Sequence, residues 1–292
     1  MKQAKPPGTS KSWQDLGAMH RSILSQEGSW DNFRRTIASR YFTDPDYSEE
    51  DIRFAYDFLK ARGVRINETD FAEGNPVRVE VDGKIITQDL LTSSSELYSM
   101  ESVIDLKEVK TVVEIGGGYG RMALLILQRY PHIKYTIVDV SPAVEVSEKF
   151  LTGKFNAEFL SPEELDFKEE ADLFYSSSVM SELGFRIVNH YFRLINQKGR
   201  FFYLKDWKKG HHLNDLPAIT GFGLRVANKI SKLIFRRPWT AAFDAYRIRE
   251  DNYPQFGWKE LLHQDCENIT AYSPSHKKTR EDKFFEIVYR IK

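Results

Sequence analysis

Two acids and a group of glycines form the pattern in this chain best suited to holding a ligand. Residues 112–121 read VVEIGGGYGR, with Glu114 ahead of the turn and Gly116, Gly117, Gly118 and Gly120 within it. Glycine allows a sharp left-handed backbone and lets a ligand approach the main chain where a Cβ would stand in the way. A second acid, Asp139, closes the run YTIVD and is followed by Val140. A carboxylate at that strand end can accept hydrogen bonds from both hydroxyls of a ribose. The chemistry these residues could support is capture of an adenosine-bearing ligand. Ser161 opens S-P-E-E and reads first as a capping box with Glu164, close to where an adenine edge would lie. Ser176 and Ser177, with Ser178, close a further strand and face the same cleft; they suit a carboxylate or a sugar, and a plain loop accounts for them equally well.

The elements that must position these side chains alternate regularly. Strands are expected at 111–115, 135–139, 157–160, 172–176 and 199–206. Helices fall between them: one at 121–130, one opened by Ser141 as N-cap with Pro142 at its first position, and one carrying Phe185, Val188, Phe192 and Ile195 on a single face. Such alternation implies an α/β fold, a doubly wound and mostly parallel Rossmann-like sheet. The end differs. A helix at 258–263 and strands at 268–273 and 284–291, with no helix between the two strands, give seven strands and an antiparallel C-terminal finish. An insertion at 207–256 is too long for a simple connection.

Upstream, residues 1–90 read as a helical N-terminal cap, with 91–292 forming the main domain. Phe33, Ile37 and Tyr41 recur at spacing four. Ile52, Ala55 and Leu59 continue a stripe behind Ser48, which can cap a helix with Asp51 at its third position. Residues 77–87 alternate β-formers around Asp82-Gly83, a type I′ hairpin signal. A polar helix at 95–104 then leads into the glycine turn.

Composition excludes several classes. The 292 residues are 41% hydrophobic and 29% charged, carry a formal net charge of zero and have a pI near 7.1, so nothing global points to nucleic acid. Cys266 is the one cysteine, which excludes an internal disulfide and a cysteine-cluster metal site and suits a reducing cytoplasm. No apolar run approaches the ~20 residues of a membrane span. The start, MKQAKPPGTSKSW, lacks an apolar core and reads as a disordered tail instead of a signal peptide.

The glycine spacing separates two cofactors. A dehydrogenase turn runs G-x-G-x-x-G, whereas here the third glycine comes one residue early and Arg121 takes its place. The resulting E-x-G-x-G-x-G resembles motif I of the class I S-adenosylmethionine-dependent methyltransferases. Glu114 would then lie near the cofactor's ammonium, directly or through water. Residues 114–207 resemble more specifically the sugar O-methyltransferase family, through the GGGYG turn, the IVD-x-x-P-A segment and the serine-rich S-x-x-S-E. That resemblance implies that Gly116, Gly118, Gly120 and Asp139 hold S-adenosylmethionine, and it puts Glu182 at the site. The chain departs from the family in its basic insertion and in Lys205-Asp206-Trp207.

A sugar hydroxyl is too weak an acid to ionise at neutral pH, so methyl transfer to it needs a general base or a metal. His211 and His212 are the first candidates, then Glu182, then Asp206; a solvated loop is the plain alternative for the histidine pair. Asp206, Asp215 and Glu182 lack tight metal-ligand spacing. His190 and His263, each expected in a helix, read as structural. Between 219 and 237 an apolar stripe runs beside Arg225, Lys229, Lys232 and Arg236. It is either the solvated face of a lid helix or a contact with an anionic glycan or the inner face of a membrane, the acceptor then being anionic or lipid-linked. The reading carried forward is a cytoplasmic sugar O-methyltransferase. Its alternatives are a methyltransferase for another small molecule, a nicotinamide-dependent oxidoreductase and a catalytically silent methyltransferase-like protein. Oligomeric state has no signal in the sequence.

Overall fold

The structure is a computed structural model, and it describes residues 17–18, 21–26, 28–36, 48–165, 170–180, 183, 185–207, 257–267 and 283–291. Nine strands are found among them. β1 (Arg78–Val81) and β2 (Lys84–Thr87) form a hairpin; β3 (Thr111–Ile115), β4 (Lys134–Val138), β5 (Ala157–Leu160), β6 (Ala171–Ser177), β7 (Gly199–Trp207), β8 (Lys259–Glu267) and β9 (Lys283–Arg290) form the main sheet. Its strand order is β5-β4-β3-β6-β7-β9-β8. The first five run parallel, while β9 lies antiparallel between β7 and β8. The chain winds outward from β3 to β5 and then crosses back to place β6 on the other side of β3. Ligands of such sheets bind at that switch point, beyond the carboxyl ends of the strands. The expected α/β sheet with its antiparallel finish is therefore present.

One expectation at the finish is corrected. Of the segment 258–263, expected to be helical, residues 259–263 belong to β8, and His263 therefore sits on a strand. Its residues are ordinary helix formers, but pairing with the aromatic and β-branched β9 overrides local propensity. A register shift between Glu260 and Leu262 sets an extra residue into β8, so that Leu261 and Leu262 both reach the core. The expected strand at 268–273 lies outside the described residues, as do 208–256 of the insertion.

Among the described residues, helices packed around the sheet include the single turn α1 (Phe33–Thr36), α2 (Glu49–Ala61), α3 (Gln88–Glu101), α4 (Arg121–Arg129), α5 (Ala143–Leu151) and α6 (Phe185–Lys198). Each face of the sheet has its own core. α6 covers one face, where Val188, Phe192 and Ile195 pack against Phe174, Phe202 and Trp258. The other face carries α4, whose residues from Met122 to Leu127 are all buried, together with α3, α5 and the apolar stripe of α2. The capping box at Ser48 and Asp51 forms as the spacing predicts, and Asp82 (φ 52°) and Gly83 (φ 72°) make the left-handed hairpin turn. Ile37 and Tyr41 lie outside the described residues.

Two helix starts differ from expectation. α3 begins well before residue 95, because the Thr87 side chain accepts a hydrogen bond from the Leu90 amide and so ends β2 and caps the helix at once. Pro142, not Ser141, is the N-cap of α5; the Ser141 hydroxyl bonds the Glu145 carboxylate at 2.7 Å instead. No helix among the described residues is long and apolar enough to cross a membrane.

Candidate active site

The turn leaving β3 is built from glycines in conformations other residues resist. Gly116, Gly118 and Gly120 have φ of 78°, 58° and 92°. Gly117 is held by space as well: a Cβ there would stand 2.6 Å from Ile137 Cγ2 and 3.3 Å from the Glu114 carboxyl. The turn is tied to its neighbour strand, since the Gly116 amide donates to the Val138 carbonyl at 2.8 Å. Asp139 grips it from the end of β4. One carboxylate oxygen accepts from the Gly118 amide at 2.8 Å and the other from the Val140 amide at 2.7 Å. The Asp139 amide in turn donates to the Leu160 carbonyl, which brings Ser161 beside it. There the Ser161 amide bonds the Glu164 carboxylate at 2.8 Å within a turn instead of a helix.

Glu114 lies beneath this turn, 3% exposed, accepting a hydrogen bond from the Tyr135 hydroxyl at 2.9 Å. Burial pushes its carboxyl up to about 8, against the opposing effects of the Tyr135 hydrogen bond and the Arg121 charge; Asp139 and Glu96 add to the rise. In the free protein near neutral pH it is therefore mostly a carboxylic acid. A cationic group brought close would favour its ionised form.

Beside Glu114 the sheet carries a buried polar tier. Glu114, Tyr175 and Tyr203 are register partners on β3, β6 and β7, so they share a face, and the two tyrosine rings stack at 5.0 Å. The Tyr203 hydroxyl donates to Glu286 and that of Tyr175 to Glu96. Glu96 is the hub: Arg121 grips both its oxygens at 2.8 and 3.1 Å, Lys205 approaches to 3.0 Å, and Ser177 donates at 3.1 Å. Burial alone would raise the Glu96 carboxyl, but Arg121 and Lys205 bring it down to about 2.

The remaining expected residues divide between the two faces or lie elsewhere. Ser177 belongs to the Glu96 network, and the Ser176 hydroxyl donates to the Ile115 carbonyl at 3.3 Å. Both serines are buried and have protein partners. Asp206 is fully buried and alternates onto the face of Phe202 and Leu204, opposite Glu114 and Lys205. Glu182, His211 and His212 lie outside the described residues. His190 is on α6, where burial and Arg193 lower its pKa, and His263 bonds Glu260 at 3.2 Å. Among the described residues no cluster of acids, histidines or cysteines could hold a metal ion.

A turn with no room for a Cβ at Gly116, Gly117 or Gly120, bounded by one buried acid and one amide-bound acid, fits the methionine and ribose ends of S-adenosylmethionine by its donors and charges. Residues 61–182 match the family model of an O-methyltransferase domain. This segment runs from the end of α2 through the glycine turn to just past β6. Among curated proteins the chain is similar to malonyl-acyl-carrier-protein O-methyltransferase 1 of Ilyobacter polytropus, 28% identical over 99 residues. The match covers 32% of this chain and 37% of that relative, so it spans little more than a third of the relative's length. Similar solved structures include the mitomycin 7-O-methyltransferase MmcR, with a TM-score of 0.39 and 14% identity over 96% of this chain and 67% of that one. The plantazolicin methyltransferase BpumL in complex with SAH gives a TM-score of 0.44 and 12% identity over 94% of this chain and 100% of that one.

Sequence reading missed the α3 face that carries Asp89, Ser93 and Glu96, together with Arg121, Lys205 and the three tyrosines. One signal was available. Asp89, Ser93 and Glu96 sit at i, i+4 and i+7, the spacing of one helix face.

Proposed function

We propose that this protein is an S-adenosylmethionine-dependent O-methyltransferase. The observation that carries the reading is the joint geometry of Glu114, the glycine turn and Asp139 at the switch point of a sheet with an antiparallel last strand. The matched O-methyltransferase domain, which contains all three, supports it. In this reading Asp139 meets the ribose, the glycine turn receives the methionine portion, and Glu114 answers the ammonium. When bound, the cofactor supplies a methyl group on a sulfonium, open to in-line attack by an acceptor oxygen. The protein's task is to align that oxygen and exclude water.

The acceptor is a sugar hydroxyl, a proposal that rests on the resemblance of residues 114–207 to the sugar O-methyltransferases. It requires a base, and His211, His212, Glu182 and Asp206 remain its candidates. The acceptor's anionic or lipid-linked character, cytoplasmic location and contact of 219–237 with a membrane surface belong to the same proposal, as does the division into a cap at 1–90 and a catalytic domain at 91–292. The name of the curated relative supports a second reading, an acyl-carrier-bound or other non-sugar acceptor. Calorimetric titration with S-adenosylhomocysteine and with a nicotinamide dinucleotide tests the cofactor: binding of the second and not the first overturns it. Methyl transfer from labelled cofactor to a panel of glycosides and acyl thioesters then decides the acceptor. Turnover confined to the thioesters rejects the sugar.

A further inference from the structure

The glycine turn carries two large side chains, Tyr119 and Arg121, and both point into buried polar clusters furnished by α3. The Tyr119 hydroxyl donates to the Asp89 carboxylate at 2.6 Å. Its ring is enclosed by Phe33, Phe150 and the Arg34 guanidinium, which sits 4.9 Å from the ring centroid. Arg34 in turn holds Asp70 through both terminal nitrogens, at 3.1 and 2.7 Å, and reaches Asp89 at 3.1 Å. Arg121 bonds the Ser93 hydroxyl at 2.8 Å as well as both oxygens of Glu96. Asp89, Ser93 and Glu96 are at most 5% exposed and lie on one face of α3, spread over two turns. The side chain between them in the turn is absent, because residue 120 is glycine.

We propose that Asp89 and Glu96 are positioning residues which clamp the cofactor turn through Tyr119 and Arg121, so that α3 presets the donor site. This deepens the reading of the turn as the S-adenosylmethionine site and rests on it. Physically, the backbone of 116–120 must hold one shape at the donor site, and glycines supply no side chain to fix it. Left-handed glycine backbone is also the most costly to order, since glycine loses more freedom than any other residue. Anchors on either side of Gly120 reduce that freedom before any ligand arrives, which is how preorganisation raises affinity. The hydroxyl to carboxylate bond and the bidentate guanidinium to carboxylate pair are charge-assisted and directional, which suits them to the role.

The test uses the full chain. Hydrogen exchange of the amides of 116–122 is measured by mass spectrometry without ligand, and S-adenosylhomocysteine affinity by calorimetry, for wild type, Tyr119→Phe, Glu96→Gln, Arg121→Met and Arg121→Lys. Tyr119→Phe removes one oxygen and keeps the ring packing, so it holds the fold if the Glu96 variant does not. Thermal melts confirm that each protein is folded at the assay temperature. We expect faster exchange localised to 116–122 and affinity weaker by about tenfold for Tyr119→Phe and Arg121→Met, the share of a charged hydrogen bond that falls on the turn. Arg121→Lys, which keeps the charge but loses the bidentate grip, should fall between Arg121→Met and wild type. A merely structural role would lower melting temperatures and leave the folded protein's affinity and the local exchange unchanged; that result overturns the clamp alone. No binding of S-adenosylhomocysteine by wild type would overturn the cofactor reading and the positioning role with it.

Discussion

Glu114→Gln should stabilise the free protein, and by an amount that grows with pH. Glu114 faces Tyr135 on β4, Tyr175 on β6, Glu96 on α3, Arg121 on α4 and Asp139 at the end of β4. Burial outweighs the rest and takes its carboxyl from an ordinary 4.5 to about 8. The folded state thus holds a proton that the unfolded chain has released, so stability falls as pH rises from the unfolded value through the folded one. At pH 7 the loss is about 3 kcal/mol, and it levels off on the order of 5 kcal/mol above pH 8. Glutamine keeps the shape and does not titrate. The melting temperature of Glu114→Gln minus that of wild type should therefore widen by about 2–4 °C per pH unit between pH 5 and 8. An ammonium group brought beside Glu114 reverses the balance by favouring the carboxylate. Wild type should release about one proton on binding S-adenosylhomocysteine near pH 6, counted calorimetrically in buffers of different ionisation enthalpy, and Glu114→Gln should release none. Parallel melting profiles for the two proteins across this range would refute the argument, because they would mean that Glu114 is already ionised in its buried place.

Other outcomes follow from neighbouring geometry. Asp139→Asn, which trades a carboxylate for an amide against the Gly118 and Val140 amides, should weaken S-adenosylhomocysteine by about tenfold or more in calorimetry. Gly117→Ala drives a methyl to 2.6 Å from Ile137 and should cost about 1–3 kcal/mol in urea denaturation. Glu96, held down to about 2, contributes stability that is present above its unfolded value and lost as pH falls from 4.5 toward 2. Wild type should accordingly lose more melting temperature over that interval than Glu96→Gln does. For catalysis, His211→Ala and His212→Ala are each expected to cut turnover with cofactor affinity retained, and two silent variants would pass the base to Glu182 or Asp206.

The parallel half of the sheet was legible because its punctuation is local. Glycine at 116–120, the acids at 114 and 139 and short apolar runs mark strand ends without reference to anything distant, and the strands lie where these signals put them. The antiparallel edge was harder to read. Lys259, Glu260, Leu261 and Leu262 are helix formers one by one, and only the partner strand β9, some twenty residues on, makes them extended. A contact of that kind has no trace in a local window.

The face of α3 was illegible for a different reason. Pattern reading assigns polar side chains to solvent, and the spacing in DLLTSSSE puts Asp89, Ser93 and Glu96 on one face without showing that the face is buried. Their burial is intelligible only with Tyr119 and Arg121 in view. Apolar residues of similar volume would pack α3 on α4 without the desolvation cost of an ion pair, and replacements of that kind are often stabilising in other proteins. They could not, however, fix the direction of a phenol hydroxyl and a guanidinium that belong to the glycine turn. Stability alone is therefore a poor reason for this polar face. Geometric control of the turn is a better one, and it ties the chemistry of α3 to the site whose affinity the variants above would measure.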